Sequence, residues 1–361
     1  MKSRFRNAWA LALGLGIGAA VAFSQPGLAR EGGLEDEPGG GTNGSSADNV
    51  PVGIFYVGQF FTNQFTHNVG AGTTAPGFAT GGKFPNENDW VNANVFLFNP
   101  GWTFFGATTQ FIFVQPFVQV NQGNNPGPFG STFGGLNDQL FKADAAWKFG
   151  DIHVKLALGA WVPGGTVQGP NGLANAGLPF FTIQPEFALS WEPQNWLWGG
   201  NWNFTAYTYW EIDTKNEVTG YQNAPLFHAD FTATGTWGKW TIGPVADFFT
   251  QVGHDTSSPF YAVGNPNAFC AGPVGFECLF PQDLWRWAVG GLIQYNFGPV
   301  TIQFWGTDIV ASHAAGGSIN AAGIAQNDVG VNGYTLWMQF SFALWTPPEA
   351  PPAAKAPLIY K

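Results

Sequence analysis

The chain has 361 residues, of which 10% are charged and 17% are aromatic, and its formal net charge is −10. Soluble domains usually carry about a quarter of charged residues, and the abundance of Phe, Trp, Val and Thr over strong helix formers favours β-strands. Beyond the N-terminal region no apolar run is long enough for a transmembrane helix, and the acidic balance provides no basic patch for nucleic acid. The composition therefore excludes a disordered chain, a helical membrane protein and a nucleic-acid-binding protein.

Residues 1–29 have the organisation of a secretory signal peptide. A basic start precedes an apolar stretch from Trp9 to Phe23, and small residues end at Ala29. The apolar stretch is short and interrupted by glycines, so the pattern favours a signal cleaved after Ala29 over a membrane anchor. Residues 30–49 are polar and rich in Gly and Ser, which predicts a flexible N-terminal segment rather than a domain.

Strand patterns begin near Pro51 and continue almost to the end of the chain, which predicts a barrel domain over residues 50–346 and a Pro/Ala-rich tail over residues 347–361. Tight turns alternate with long loops rich in Gly, Pro, Asn or Ser, and the link Pro193–Gly200 is of intermediate length. This alternation is typical of an antiparallel up-and-down transmembrane barrel with short periplasmic turns and long external loops. The twelve predicted strands cover residues 51–66, 88–98, 102–120, 137–149, 152–163, 179–192, 201–213, 225–237, 239–252, 284–297, 300–311 and 333–346.

Most predicted strands have one apolar and one polar face. The two strands between Trp202 and Trp237 show this most clearly, because apolar and polar or tyrosine side chains alternate along both of them. In a soluble sheet the apolar face would cover a core, whereas in a barrel it would meet lipid and the polar face would line a lumen. The strand from Trp102 to Val120 is apolar on both faces, which predicts either a β-bulge or an inner face in contact with an apolar plug or ligand.

Tryptophans cluster beside the tight turns. In a barrel they would form a periplasmic girdle at the lipid–water interface, whereas in a soluble sandwich they would fill the core. Their number next to tight turns favours the girdle. The girdle prediction covers Trp102, Trp147, Trp191, Trp196, Trp198, Trp202, Trp237, Trp240 and Trp345.

Charged and tyrosine side chains on the predicted inner face are candidates for lining a pore. Both signs of charge are present, which suits either ion pairing between neighbouring strands or a constriction that contacts solute. His228 and Asp230 lie two residues apart on one face, which suits a lumenal hydrogen-bond network better than a metal site or an acid–base pair. The candidates are Lys142, Asp144, His153, Lys155, Glu186, Tyr207, Tyr209, Glu211, Asp213, His228, Asp230, Asp247 and Arg286, and Lys148 and Asp308 are also expected to face inward.

The sequence predicts no catalytic residues, no metal site and no cofactor. It contains no Gly-x-Ser-x-Gly motif and no glycine-rich loop that opens a helix. Cys270 and Cys278 are the two cysteines of the chain, and in an exported protein they are expected to form a local disulfide. A zinc site would need further Cys or His ligands at short spacing.

Short motifs between Gly135 and Asp255 resemble the outer-membrane transporter family associated with the meta-cleavage pathway of phenol degradation. Weaker similarity extends over roughly residues 50–310, and the chain has Pro163-Gly164-Gly165 where the family pattern has Pro-Thr-Gly. The motifs are Gly135-Leu-Asn-Asp138, Trp147-x-Phe-Gly-Asp-Ile-His153, Trp161-Val-Pro-Gly-Gly165, Pro185-Glu-Phe-Ala-Leu189, Glu211-Ile-Asp213, Asn216-x-x-Thr219-Gly220, Phe227-His-Ala-Asp-Phe231 and Ile242-Gly-Pro-Val-Ala-Asp247. The resemblance implies an outer-membrane barrel that takes up small aromatic or hydrophobic compounds. It also implies a lumenal cluster formed by Glu211, Asp213, His228 and Asp230.

We therefore expect an all-β, transmembrane antiparallel barrel of about twelve strands in the outer membrane of a Gram-negative bacterium. Its expected function is passive passage of small aromatic or hydrophobic compounds through a lumen narrowed by inward charges, aromatic residues or the N-terminal segment. Expected partners are outer-membrane lipid, a small-molecule solute and the outer-membrane assembly machinery, for which the strand Tyr334–Trp345 resembles a signal; homo-oligomerisation stays open. The alternatives are an outer-membrane enzyme of lipid hydrolysis and a secreted soluble β-protein with a binding or structural role.

Overall fold

The computed structural model describes residues 36–68, 87–122, 132–166, 177–217, 220–253, 281–316 and 330–348. Within these ranges no helix is long and apolar enough to cross a membrane. The strand segments in the same ranges are β1 Gly53–Asn68, β2 Glu87–Asn99, β3 Thr103–Phe104, β4 Ala107–Gln122, β5 Thr132–Leu136, β6 Gln139–Phe149, β7 Ile152–Val162, β8 Thr182–Trp191, β9 Asn201–Asp213, β10 Leu226–Trp237, β11 Trp240–Gln251, β12 Pro281–Asn296, β13 Val300–Gly316 and β14 Gly330–Trp345.

These segments form one closed antiparallel barrel. Each strand pairs with its neighbours along the chain, and the last strand, β14, pairs with the first, β1, so that the sheet has no free edge at this seam. The short segments β5 and β6 both pair with β4 and together form a single wall strand, interrupted at Asn137 and Asp138. The two-residue segment β3 only extends the hairpin before β4. The barrel therefore has twelve strands, as predicted.

The prediction placed one continuous strand over residues 102–120, whereas the structure has a tight turn near its start. Phe105 and Gly106 have φ angles of 47° and 80° and connect β3 to β4. Positive φ at both central residues is the geometry of a two-residue hairpin loop. The pairing of β4 with β2 runs without a bulge. Instead, Ile112 and Val114 of β4 pack against Val57 and its neighbours on the inner side of the barrel. The inner face of this strand is apolar because it belongs to this cluster.

The two faces of the barrel have opposite chemistry. On β7, Leu156 and Leu158 are 49% and 59% exposed, whereas the alternate residues His153 and Lys155 are 1% and 6% exposed. The apolar side chains therefore lie on the outer surface and the polar side chains on the inner one. This arrangement suits lipid outside the barrel and is the reverse of a soluble protein. The predicted alternation is confirmed on this strand.

Aromatic side chains surround the end of the barrel that carries the short turns. Trp102, Trp240 and Trp345 are exposed at this end, and Trp198 is 79% exposed. Several of these rings contact each other, including the tryptophans that flank the turn between β8 and β9. Their location agrees with the predicted periplasmic girdle, since amphipathic rings are favoured at the membrane interface.

One candidate inner residue lies on the opposite face. Asp308 on β13 is exposed, whereas its neighbour Thr307 is buried. Asp308 pairs with Val289 and Tyr334, which are both exposed apolar or aromatic residues of the outer surface. The prediction that Asp308 faces the lumen is therefore wrong. Along β13 the buried inner residues Gln303, Trp305 and Thr307 alternate with outer ones, so the period of two places Asp308 on the outer face.

The N-terminal segment lies inside the barrel. We call residues 36–50 the plug. They contact Gln110 at the end of the barrel that carries the short turns, and Glu211 at the end that carries the long loops. Ala47 is fully buried and Asn43 is 2% exposed. The prediction of a flexible segment over residues 30–49 therefore needs correction for residues 36–49. The signal peptide, the tail beyond residue 348 and the pair Cys270–Cys278 lie outside the described residues and stay predictions.

Candidate functional site

Two buried carboxylates hold the plug to the barrel wall. Glu211 on β9 accepts a hydrogen bond from the backbone N–H of Glu37 at 2.8 Å. Asp230 on β10 accepts three hydrogen bonds, from the N–H of Gly40 at 2.9 Å, the N–H of Thr42 at 3.0 Å and the hydroxyl of Thr42 at 2.7 Å. Hydrogen bonds to ionised acceptors are stronger than neutral ones. These carboxylates are therefore the main attachment points of residues 37–42, which we call the upper plug.

The lower plug is held by two neutral side chains and one ammonium group near the periplasmic mouth. The N–H of Ala47 donates to the Ser190 hydroxyl at 2.7 Å, and the N–H of Val50 donates to the Gln110 side chain at 2.8 Å. The ammonium group of Lys155 donates to the carbonyl of Asp48 at 2.8 Å. The plug thus meets inner wall positions at several heights of the lumen.

Glycines allow the plug to lie directly against the wall. Gly44 has a φ of 85°, and a Cβ there would lie 2.5 Å from the Gln303 side-chain nitrogen and 2.6 Å from a methyl of Leu292. A Cβ at Gly39 would lie 2.8 Å from the Arg286 guanidinium. Side chains at these positions would push the plug away from the wall, and the left-handed φ of Gly44 further disfavours any other residue.

Four candidate charges on β6, β7 and β8 pair with one another, and we call them the charged wall: Lys142, Asp144, Lys155 and Glu186. Lys142 makes an ion pair of 2.9 Å with Glu186, and the Tyr207 hydroxyl donates to the same carboxylate. Gln184 donates to Glu186 at 2.9 Å. These contacts fit the predicted pairing between neighbouring strands. A lone buried charge would be costly, and each of these is satisfied by its neighbours.

Two further pairs extend this arrangement. Asp144 accepts a hydrogen bond from Gln110 at 3.2 Å and lies 3.9 Å from the ammonium of Lys155. Asp247 lies 3.8 Å from the Arg286 guanidinium, which also covers the ring of Phe249 at 4.6 Å. The exposed Lys148 reaches the mouth of the lumen, where its ammonium lies 3.6 Å from Asp48.

The four residues that the family resemblance placed together have different partners. His228 is fully buried, stacks on Tyr209 with ring centroids 4.4 Å apart, and has its Nε2 4.0 Å from the Glu211 carboxylate. Asp213 accepts hydrogen bonds from Thr182 at 2.7 Å and from Asn223 at 2.7 Å. Glu211 and Asp230 therefore hold the plug, whereas Asp213 fixes residue 223 beside the end of its own strand. Contact of any of them with a solute stays a prediction.

An apolar surface lies on the other side of the lumen. We call Phe61, Val245, Leu292, Trp305 and Trp337 the apolar wall, because they form one buried cluster. The Trp305 and Trp337 rings stack at 5.1 Å, and Phe61 contacts Trp337 at 4.2 Å. Trp305 donates its indole N–H to the Gly40 carbonyl at 3.0 Å. Among the described residues the buried indole N–H of Trp337 has no hydrogen-bond partner.

Sequence reasoning missed this wall, and it gave the N-terminal segment only as one of three features that could narrow the lumen. Trp337 has the parity of Thr335 and Gln339, the polar residues that alternate with Leu336 and Met338 along the last strand. The alternation along this strand is therefore a signal that could have identified Trp337 as an inner residue. The plug has no comparable signal, because residues 36–50 have neither strand nor helix periodicity.

The geometry near Ser190 differs from that of a Ser–His hydrolase. His153 lies directly across from Ser190 in the β7–β8 pairing. However, the Nε2 of His153 lies 3.1 Å from the Gly150 carbonyl. The Ser190 hydroxyl is hydrogen-bonded to Thr205 and accepts from Ala47. A catalytic base must face the nucleophile, and the His153 ring is engaged elsewhere.

Asp138 organises the chain at the interruption between β5 and β6. Its carboxylate accepts hydrogen bonds from the N–H groups of Gly164 at 3.0 Å, Gly165 at 2.9 Å and Leu178 at 2.7 Å. A Cβ at Gly165 would lie 2.5 Å from the Gly177 Cα. Asp138 thus joins the two described ends of the loop that follows β7.

We expect Asp138→Ala to release these loop ends. A hydrogen bond to a charged group contributes about 1.5–3 kcal/mol, so amide exchange in residues 163–166 and 177–179 should accelerate by at least about 10-fold in hydrogen-exchange mass spectrometry. The exposed Asp151 provides a matched control, because Asp151→Asn lies in a different turn. Unchanged exchange in Asp138→Ala would contradict this anchoring role.

The family model described as "Putative MetA-pathway of phenol degradation" matches residues 73–306. None of the curated protein sequences compared matches the chain. Among solved structures, an outer membrane channel from Pseudomonas putida F1 is similar over 82% of this chain and 98% of its own, with 11% identity and a TM-score of 0.61.

Two autotransporter domains are more distant. The translocator domain of NalP from Neisseria meningitidis covers 82% of this chain and 91% of its own, with 9% identity and a TM-score of 0.35. The beta domain of the Bordetella autotransporter Brka covers 81% and 100%, with 11% identity and a TM-score of 0.39. These two similarities carry no argument. The Pseudomonas channel shares the fold, which confirms the predicted outer-membrane type of barrel. Because the family model covers more than half of the chain, the protein belongs to the family described as "Putative MetA-pathway of phenol degradation".

Proposed function

We propose that the protein is a passive outer-membrane channel for small aromatic or hydrophobic compounds. The observation that carries this proposal is the two-sided lumen, in which the charged wall faces one side of the plug and the apolar wall faces the other. The apolar wall can contact the ring of a small aromatic compound, and the charged wall can bind a polar substituent as the compound passes. The description of the family and the channel nature of the Pseudomonas neighbour support the same function.

Passage requires the plug to move within the lumen or to leave it. The plug contains no regular secondary structure and is attached mainly by hydrogen bonds to the wall. Water or solute can replace such hydrogen bonds one at a time, whereas a plug packed as an apolar core would have to leave as a unit. The mechanism is therefore diffusion down a gradient, gated by displacement of the plug.

Reconstitution tests this function directly. The purified protein should give conductance steps in planar bilayers and should admit small aromatics in liposome assays, and cells that lack the protein should take up such compounds more slowly. Conductance and flux that stay absent even when the plug is removed would overturn the proposal. Lipid hydrolysis by the refolded protein would favour the enzyme instead, since the proposed mechanism breaks no bond.

We expect Trp337→Ala to reduce selectivity for aromatic compounds. An aromatic pair contributes about 0.5–1.5 kcal/mol beyond apolar burial, so the ratio of phenol to glycerol permeability should fall by about 2- to 10-fold in liposomes. Trp337→Phe keeps an aromatic ring on the apolar wall and should retain most of the ratio. An unchanged ratio in Trp337→Ala would show that solute does not pass along this wall.

A further inference from the structure

Three side chains that can bind a metal ion meet at the periplasmic mouth. Asp48 belongs to the plug, His153 to β7, and Glu192 directly follows β8. The Nδ1 of His153 lies 2.9 Å from an Asp48 carboxylate oxygen and 3.3 Å from a Glu192 carboxylate oxygen. The His153 side chain is only 2% exposed, whereas Asp48 and Glu192 are 38% and 19% exposed. The group is thus rigid on its barrel side and open to periplasmic solvent on the other.

The protonation of His153 follows from its other ring nitrogen. Nε2 lies 3.1 Å from the Gly150 carbonyl, and a carbonyl can only accept, so Nε2 carries the proton. In the neutral ring Nδ1 is then an unprotonated lone pair that faces two carboxylates. The Nδ1 lone pair and the carboxylate oxygens, which are all hydrogen-bond acceptors, then face one another without a proton between them. This arrangement is unfavourable unless a cation lies between the three groups.

A second proton on the ring would instead make the group an ion pair of His153 with the two carboxylates. A protonated Nδ1 would have to donate to Asp48 or Glu192, yet among the described residues Nδ1 makes no hydrogen bond, and neither does the Glu192 oxygen that faces it. The distances instead suit ligands around one ion. Ligand atoms at about 2.0–2.2 Å from a tetrahedral zinc ion are about 3.4 Å from one another, close to the observed separations.

The geometry points to a divalent transition-metal site formed by Asp48, His153 and Glu192, with Zn²⁺ as the best-suited ion. Imidazole nitrogen and carboxylate oxygen are both zinc ligands, and a water molecule can fill the fourth position beside three protein ligands. The neutral imidazole and two carboxylates carry a charge of about −2, which balances the ion. The contact of Nε2 with Gly150 orients the ring as an outer partner does in known metal sites. No sequence motif indicates this site, because its ligands are far apart along the chain.

A metal ion at this site would clamp the base of the plug to the wall. Asp48 is the ligand on the plug, whereas the other two ligands belong to neighbouring barrel strands. Zinc should therefore disfavour displacement of the plug, and a chelator should favour it. This consequence rests on the proposed channel function, whereas the metal site itself does not.

Isothermal titration of the untagged full-length protein with ZnCl₂, after EDTA treatment, tests the site. We expect one equivalent of zinc, with affinity reduced by at least about 10- to 100-fold in Asp48→Asn, His153→Gln and Glu192→Gln. Asp151→Asn removes a neighbouring acidic group outside the site and should bind as the wild type does. Heat-modifiable gel migration verifies that each variant is folded, and Asp48→Asn changes only the plug.

Zinc X-ray absorption of the loaded protein should show one nitrogen among oxygen ligands, and this nitrogen should disappear in His153→Gln. Equal zinc affinity in wild type and all three variants, or no binding at 100-fold excess of zinc, would overturn the site. Hydrogen exchange of residues 44–50 reports the clamp separately. The clamp is supported if zinc slows this exchange in the wild type but not in Asp48→Asn. The clamp is overturned if zinc leaves the exchange of the wild type unchanged. Both outcomes can be read whether or not the protein conducts.

Discussion

Deletion of residues 36–47 is expected to convert the barrel into a permanently open conductor. These residues fill the lumen and have no strand pairing, so their removal leaves the strand pairs of the barrel intact. Single-channel recordings in planar bilayers should change from brief, small or absent openings to stable ohmic steps. The change in mean conductance should be at least about tenfold, because the segment contacts the wall at several heights of the lumen, from Glu211 through Asp230 to Ser190.

A single substitution should give part of the same effect. Asp230→Ala removes the acceptor of three hydrogen bonds to the plug. The free energy that holds the plug in place should fall by about 2–3 kcal/mol, because water replaces part of what the charged acceptor contributed. This change raises the population of the displaced plug by about 30- to 150-fold. Asp308→Asn is a matched control, because it alters an aspartate on the outer surface of the barrel. Recordings of the deletion variant that match those of the wild type would show that the plug does not close the lumen.

Leu156→Arg is expected to destabilise the protein by about 2–4 kcal/mol in lipid vesicles. Leu156 lies on the outer face of β7, midway between its ends, and is 49% exposed. An arginine at the bilayer midplane carries this cost, which falls to about 0–1 kcal/mol near the interface. Guanidinium titration of the vesicle-inserted protein, followed by tryptophan fluorescence, measures the free energy of unfolding.

Phe149→Arg is the matched control for the depth dependence. Phe149 is 64% exposed at the short turn between β6 and β7, close to the aromatic girdle. Its substitution should therefore cost far less than that of Leu156. The secreted soluble alternative makes the opposite forecast, because an arginine on a water-exposed surface changes stability by less than about 0.5 kcal/mol. Equal, small costs at the two positions would thus argue against a lipid-facing outer surface.

The strands were predictable because their signals are local. Alternation with a period of two is a property of consecutive residues, and the sequence of β7 shows which of its side chains face lipid. The predicted strand boundary was wrong at Phe105 and Gly106, where the backbone makes a tight turn. A tight turn inside an apolar run does not change the composition of the run, so the sequence pattern does not show it. Asp308 was placed on the wrong face although the alternation of β13 itself sets it opposite the buried Gln303, Trp305 and Thr307.

Local sequence patterns were sufficient to predict a twelve-stranded outer-membrane barrel with an apolar outer face and a polar, charged inner face. The content of the lumen, by contrast, depends on tertiary contacts. The plug is bound by contacts between residues that are far apart in the sequence. Gly40, for example, contacts Asp230, which is 190 positions away, and Trp305, which is 265 positions away. No local pattern encodes such pairings. They exist because closing the sheet brings distant strands around a segment whose glycines let its backbone amides reach buried carboxylates.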